Sequence, residues 1–256
     1  MSKTVLITGS TSGIGYGIAE LYAEKGYNIM LHGLEKNGQE IANDLAEKYQ
    51  IETSFSNANL MQIKEINELI DKTITVFGSI HVLINNAGIQ YVSSIEDFPN
   101  DKYKAIIDIN MNASFYASKA AWKYMKDQKF GRIINISSVH GIRASKYKVA
   151  YITAKHGVIG MTKVFALEGA KHNITCNTIC PGYVKTPLVE GQIKDQAKSH
   201  NMTESEVVEK VMLKKQAVKE FVPLRTIAET AYLLSKDISK TITGASFVLD
   251  GGWSAQ

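Results

Sequence analysis

The feature that most restricts what this chain can fold into is a glycine run set directly behind an apolar segment. Val5-Leu6-Ile7 leads into Thr8-Gly9-Ser10-Thr11-Ser12-Gly13-Ile14-Gly15, and apolar residues then recur at helical spacing over Ile14–Lys25. A strand that turns sharply into a helix needs this chemistry. Gly9 permits the tight turn, while Gly13 and Gly15 let the backbone approach a pyrophosphate and let the helix pack closely on the strand. The helix N-terminus adds free N–H groups and a partial positive charge. A glycine cluster alone is also a common structural turn. Its place between a strand and an amphipathic helix favours phosphate binding.

The alternation continues along the chain. Strands are expected at Thr4–Thr8, Asn28–His32, Glu52–Ser56, His81–Asn85, Gly131–Ser137, Ile174–Ile179 and Ser246–Leu249, with helical patterns such as Ile14–Lys25, Gly38–Tyr49 and Gln62–Phe77 between them. Such alternation implies an α/β fold: a doubly wound, Rossmann-type parallel sheet of about seven strands with helices on both faces. No linker or repeat divides the 256 residues, so one domain is expected. A polar, Lys/Glu-rich helical stretch at about 187–220 reads as a lid over a cleft.

Several function classes drop out. The net charge of +4 comes from interspersed lysines and acids, without the basic run of a nucleic-acid footprint. No apolar stretch approaches the ~20 residues of a membrane span, and the apolar start is too short for a signal peptide, so a cytoplasmic chain is expected. Cys176 and Cys180, four apart in one short segment, read as reduced thiols rather than a disulfide or metal site. No metal is expected.

Tyr151 and Lys155 are four residues apart and share a helix face. An ammonium beside a phenol favours the phenolate and lowers a pKa of ~10, making a general base for alcohol oxidation and an acid for ketone reduction. Ser138, at a strand end, is placed to orient a substrate oxygen. Taken singly, these are a solvated pair and a turn residue.

Together with other motifs they carry a resemblance. Thr-Gly-x-x-x-Gly-x-Gly, Asn85-Asn86-Ala87-Gly88, Asn110, Asn135-Ile136-Ser137-Ser138, Tyr151-Ile152-Thr153-Ala154-Lys155, Pro181-Gly182 and Asp250-Gly251-Gly252 follow one another in the order of the short-chain dehydrogenase/reductase family, which the chain resembles throughout. The resemblance implies a nicotinamide dinucleotide held by Gly9, Thr11, Gly13, Ile14, Gly15, Asn59, Leu60, Asn86, Ala87, Gly88, Tyr151, Lys155, Pro181, Gly182, Val184 and Thr186. It implies a catalytic set of Asn110, Ser138, Tyr151 and Lys155, in which Lys155 also grips the nicotinamide ribose and Asn110 supports a proton-relaying water. A homotetramer is implied too.

An acidic residue ending the second strand commonly holds the adenosine ribose, and a nearby Arg accommodates a phosphate. Here Gly33 and Leu34 occupy those two positions. The absence of Arg over 32–39 points to NAD as the cofactor, although Lys36 keeps NADP open. Glu35 either disfavours the extra phosphate or faces solvent. Asn59-Leu60 stands where Asp-Leu is frequent.

Gln90, His140, Lys148 and Gln192 are expected around the carboxyl edge of the sheet with Ser138 and Tyr151, forming a cationic, donor-rich pocket for a small carboxylate, with Tyr183 and Trp253 as apolar walls. Each alone is as readily a surface, loop or packing residue. The set resembles a branch of the family, the bacterial D-3-hydroxybutyrate dehydrogenases, in which Trp usually stands at the position of Tyr183. That implies oxidation of (R)-3-hydroxybutyrate to acetoacetate, and the reverse, with Gln192 joining on lid closure. The alternatives are a reductase of another small ketone or a 3-oxoacyl thioester, and a non-catalytic dinucleotide sensor.

Overall fold

Seven strands form one sheet in the computed structural model, which describes residues 2–255 apart from several side chains of one helix. They are β1 (Thr4–Ile7), β2 (Asn28–His32), β3 (Thr53–Ser56), β4 (Val82–Asn85), β5 (Gly131–Ile136), β6 (Ile174–Pro181) and β7 (Ser246–Leu249). All pairings are parallel, in the order β3-β2-β1-β4-β5-β6-β7. The chain reverses its direction of winding between β1 and β4, and ligands of such sheets sit there, beyond the carboxyl ends of the strands.

The helices are α1 (Gly13–Glu24), α2 (Gly38–Tyr49), α3 (Ile63–Phe77), α4 (Asn100–Ile107), α5 (Ala113–Asp127), α6 (Val149–Gly169), α7 (Pro187–His200), α8 (Glu204–Val207) and α9 (Leu224–Ser235). Side chains alternate between the faces of a strand, and a sheet covered on both sides needs apolar residues at every position. Val5, Ile7, Ile29, Leu31, Val82 and Ile84 accordingly pack with α1, α2 and α9. Their neighbours Leu6, Met30 and Leu83 pack with α3 and α5 on the other face.

The expected strands and helices agree with these elements to within about two residues, and β6 is the largest departure. It runs to Pro181 because Cys180 and Pro181 pair with Val248 and Leu249 of β7. The stretch expected as a lid is helical in α7 and α8, followed by a wide turn over Val208–Met212. It carries a small apolar cluster of its own: Ile193, Val207 and Met212 are buried, with Tyr183 and Phe221 packed against them. Gln192 lies on α7, and its side chain is outside the described residues. Among the described residues no helix is long and apolar enough to cross a membrane.

Candidate active site

Two cavities meet at the switch point. The first, with an empty volume of about 1130 Å³, lies over the glycine loop and the ends of β1, β2, β3 and β4. Gly9 (φ +62°) and Gly13 (φ +55°) hold the left-handed backbone that turns β1 into α1. A side chain on Gly15 would fall on the Gly9 carbonyl oxygen. Ser12 provides no side-chain cap for α1, leaving first-turn N–H groups for a ligand. This cradle fits a pyrophosphate.

Neighbouring elements fix its shape. Asn86 Nδ2 donates to the carbonyls of Thr8 (3.0 Å) and Gly9 (2.8 Å), and the Asn86 and Ala87 N–H groups donate to Thr8 Oγ1. Asn86 therefore moulds the loop with its side chain while lining the cavity. His32, which the sequence did not single out, ties three strand ends together. Its Nδ1 accepts from Gly9 N at 3.1 Å, and its Nε2 bonds Ala58 O at 2.8 Å. Asn59 Oδ1 accepts from Met61 N, and its Nδ2 group remains as a donor for a ligand. Thr11, Leu60, Gly88 and Thr186 line the same cavity, and Thr186 also caps α7.

The second cavity, with an empty volume of about 680 Å³, brings together Gln90, Ser138, His140, Lys148, Tyr151 and Trp253, with Tyr183 beside them. Gly182, Val184 and Thr186 line it as well, whereas Pro181 stays in β6. Tyr183 and Trp253 stack at 5.8 Å between ring centroids, and His140 meets Trp253 edge-on at 5.3 Å. Asp250 holds the Trp253 turn by accepting from Gly252 N (3.0 Å) and Ser254 N (2.8 Å). Arg143 donates to Ser254 O from the loop ahead of α6. Tyr147, a left-handed non-glycine residue (φ +68°), turns that loop immediately before Lys148.

Tyr151 lies in the first turn of α6, with the Ser138 hydroxyl close enough to its phenol to lower its pKa. Ser138 Oγ accepts from His140 N at 3.1 Å. Lys155, buried, directs Nζ to Ile136 O at 2.7 Å and stands 5.6 Å from the Tyr151 ring centroid. The expectation of a phenol lowered by Lys155 is not met in this state. Burial pushes the Tyr151 pKa above its ordinary value, with the Ser138 hydroxyl opposing, and burial brings Lys155 down to about 8. Desolvation of both groups outweighs an attraction that the Ile136 bond directs elsewhere.

Asn110 does not continue a regular helix. It lies in the wide turn Asp108–Asn112 between α4 and α5, and wide turns of this kind often sit at functional sites. Its Oδ1 accepts from Ile89 N (2.8 Å) and its Nδ2 donates to Ile89 O (2.9 Å). The side chain thus fixes the segment that carries Gln90.

His140 also differs from the expectation of a cationic donor. Lys148 Nζ lies 3.4 Å from His140 Nε2, and an ammonium only donates, so Nε2 is the acceptor and the ring proton sits on Nδ1. Burial first, then Lys148, pulls the His140 pKa from 6.5 to about 4. The imidazole is neutral and holds Lys148 in place. Lys215, missed within the polar lid stretch, stands 5.5 Å from the Trp253 ring centroid and lowers both His140 and Lys148. Unfolding returns His140 to its ordinary value, so the unfolded chain takes up a proton between about pH 6.5 and about 4. Stability is therefore expected to fall as pH drops through that window. His140→Gln should flatten the fall in urea midpoints, leaving the part carried by His32 and His81, which burial also lowers.

The short chain dehydrogenase model matches residues 3–197. The chain belongs to the short-chain dehydrogenase family. A D-beta-hydroxybutyrate dehydrogenase of Rhizobium meliloti is 43% identical over 100% of both chains. One of Cupriavidus necator is 40% identical over 99% of this chain and 98% of its own. A 3-oxoacyl-[acyl-carrier-protein] reductase of Chlamydia muridarum is 32% identical over 98% of this chain and 97% of its own. Among solved structures, a variant actinorhodin polyketide ketoreductase with NADPH superposes with a TM-score of 0.93 at 25% identity, covering 100% of this chain and 98% of its own. This family member is an oxidoreductase acting on CH–OH donors. Among the described residues no group of three His, Cys, Asp or Glu could hold a metal ion, and both cysteines are free and buried.

Proposed function

We propose that the chain is an NAD-dependent (R)-3-hydroxybutyrate dehydrogenase, interconverting that hydroxy acid and acetoacetate. One observation carries this reading: Gln90 and Lys148 share a cavity with Ser138 and Tyr151, and none of the described residues lining it is Asp or Glu. A substrate with a carboxylate and a secondary hydroxyl on neighbouring carbons meets both ends of such a site. Lys148 attracts the carboxylate, Gln90 donates to it, and neutral His140 keeps the ammonium aimed. Tyr183 and Trp253 supply the apolar side against the methyl group.

The dinucleotide supplies hydride chemistry when bound. Tyr151 then takes the hydroxyl proton during oxidation and returns it to the ketone oxygen during reduction. Ser138 hydrogen-bonds the same oxygen and keeps it on Tyr151. The relatives at 40% and 43% identity support the substrate class. A homo-oligomer belongs to this reading, supported by apolar residues on α5 and α6 that are left exposed, Phe115, Val164 and Leu167 among them.

The test is NADH formation with each enantiomer of 3-hydroxybutyrate, and with NADP in parallel. Turnover of the R form with NAD, at least tenfold above the S form, is the expected result. Turnover of neither enantiomer, with activity on a neutral ketone, would overturn the substrate assignment.

A further inference from the structure

The end of β2 holds an arrangement that a glycine at position 33 leaves unexplained. An acidic side chain in that place would bond the ribose hydroxyls of the adenosine half. In this chain the space is already filled. A Cβ on Gly33 would fall on the Thr11 hydroxyl and the Glu35 carboxylate. Thr11 Oγ1 donates to Glu35 Oε2, so the carboxylate is folded back from the loop after β2 onto the glycine loop. Gly33 is held there by its own bond, N–H to Ser56 O at 3.2 Å, so the backbone does not withdraw to make room.

The surroundings leave Glu35 as the charge that decides. Gly33, Leu34, Glu35, Thr11 and Asn59 lie along one end of the dinucleotide cavity, and the described residues lining that cavity include neither Lys nor Arg. The His32 ring is spent on Gly9 N and Ala58 O. A phosphate on the adenosine ribose would meet a carboxylate there with no cation among the described residues that line the cavity, Lys36 lying next in the chain but not in that lining, whereas a free hydroxyl would find an acceptor.

We propose that Glu35, folded back and held by Thr11, replaces the missing acidic residue at the end of β2 and selects a dinucleotide with a free ribose 2′-hydroxyl. The inference rests on the cavity holding a nicotinamide dinucleotide, as proposed above. The glycine at 33 is then a requirement of the device, because any side chain there would expel the carboxylate.

Direct binding tests it without turnover. Dissociation constants for NADH and NADPH are measured by fluorescence on the wild type, Glu35→Gln and Thr11→Val, with thermal unfolding of the free proteins as a check of folding. The wild type should prefer NADH, and Glu35→Gln should narrow the ratio about tenfold, mainly by tighter NADPH binding. Thr11→Val, which frees the carboxylate, should narrow it in the same direction. An unchanged ratio in a folded Glu35→Gln overturns the selector while leaving the cofactor reading standing. A wild type that binds neither dinucleotide overturns both.

Discussion

Tyr151→Phe is expected to lower kcat in both directions by about 10³-fold while NADH binding stays within a few-fold of wild type. The substitution removes one oxygen and leaves the ring, which packs edge-on at 6.2 Å from His140, so the cavity walls persist. What disappears is the proton that must reach or leave the substrate oxygen. The pH profile of the wild type supplies a second check. Burial keeps the free phenol neutral above its ordinary range, and the neutral form is the acid that reduction needs. Oxidation needs the phenolate, so its rate should rise with pH over the range where the reductive rate falls. Both limbs should vanish in Tyr151→Phe. Retained turnover in this variant would mean that the proton moves through another group, and a wild type already without turnover would favour the dinucleotide sensor.

The fold was legible because a parallel sheet buried on both faces writes itself as short apolar runs. Val5-Leu6-Ile7 and Val82-Leu83-Ile84 place alternate side chains on opposite faces, and both sets are buried. The strand boundary that moved, at Pro181, depends on pairing with β7, and nothing local to a Pro-Gly pair reports that. The site was legible as a set of residues but not as a set of charge states. Spacing puts Tyr151 and Lys155 on one helix face, yet burial and the Ile136 carbonyl decide what their protons do. His140 and Lys148 are separated by a loop whose left-handed Tyr147 brings them to 3.4 Å, a contact that composition does not encode. Glu35 stands two positions beyond the expected acid, and only the fold-back onto Thr11 puts its carboxylate where that acid would be. The wide turn at Asn110 likewise goes with its paired bonds to the Ile89 backbone, which helix propensity does not report.

Lys148→Met should raise the KM for acetoacetate about 100-fold, with kcat changed far less. A buried ammonium that meets a carboxylate contributes about 3 kcal/mol, and Met keeps most of the side-chain volume while removing the charge. Burial and then Lys215 hold the Lys148 pKa below the ordinary lysine value, so the free site carries a charge that an arriving anion stabilises. The sign of the pH dependence follows. Affinity for the anionic substrate is full while Lys148 is protonated and falls as pH rises through its lowered pKa, earlier than an ordinary lysine would give. Lys148→Met should abolish that fall. A neutral ketone of similar size separates recognition from collapse of the pocket, because its KM should move by less than about threefold if Lys148 serves the carboxylate. The variant also removes one of the cations that depress His140, so the imidazole should protonate at a higher pH than in the wild type, with burial still holding it below its ordinary value. An equal loss for the neutral ketone and for acetoacetate would make Lys148 a structural support of the α6 N-terminus and would remove the charge-based case for a carboxylate substrate.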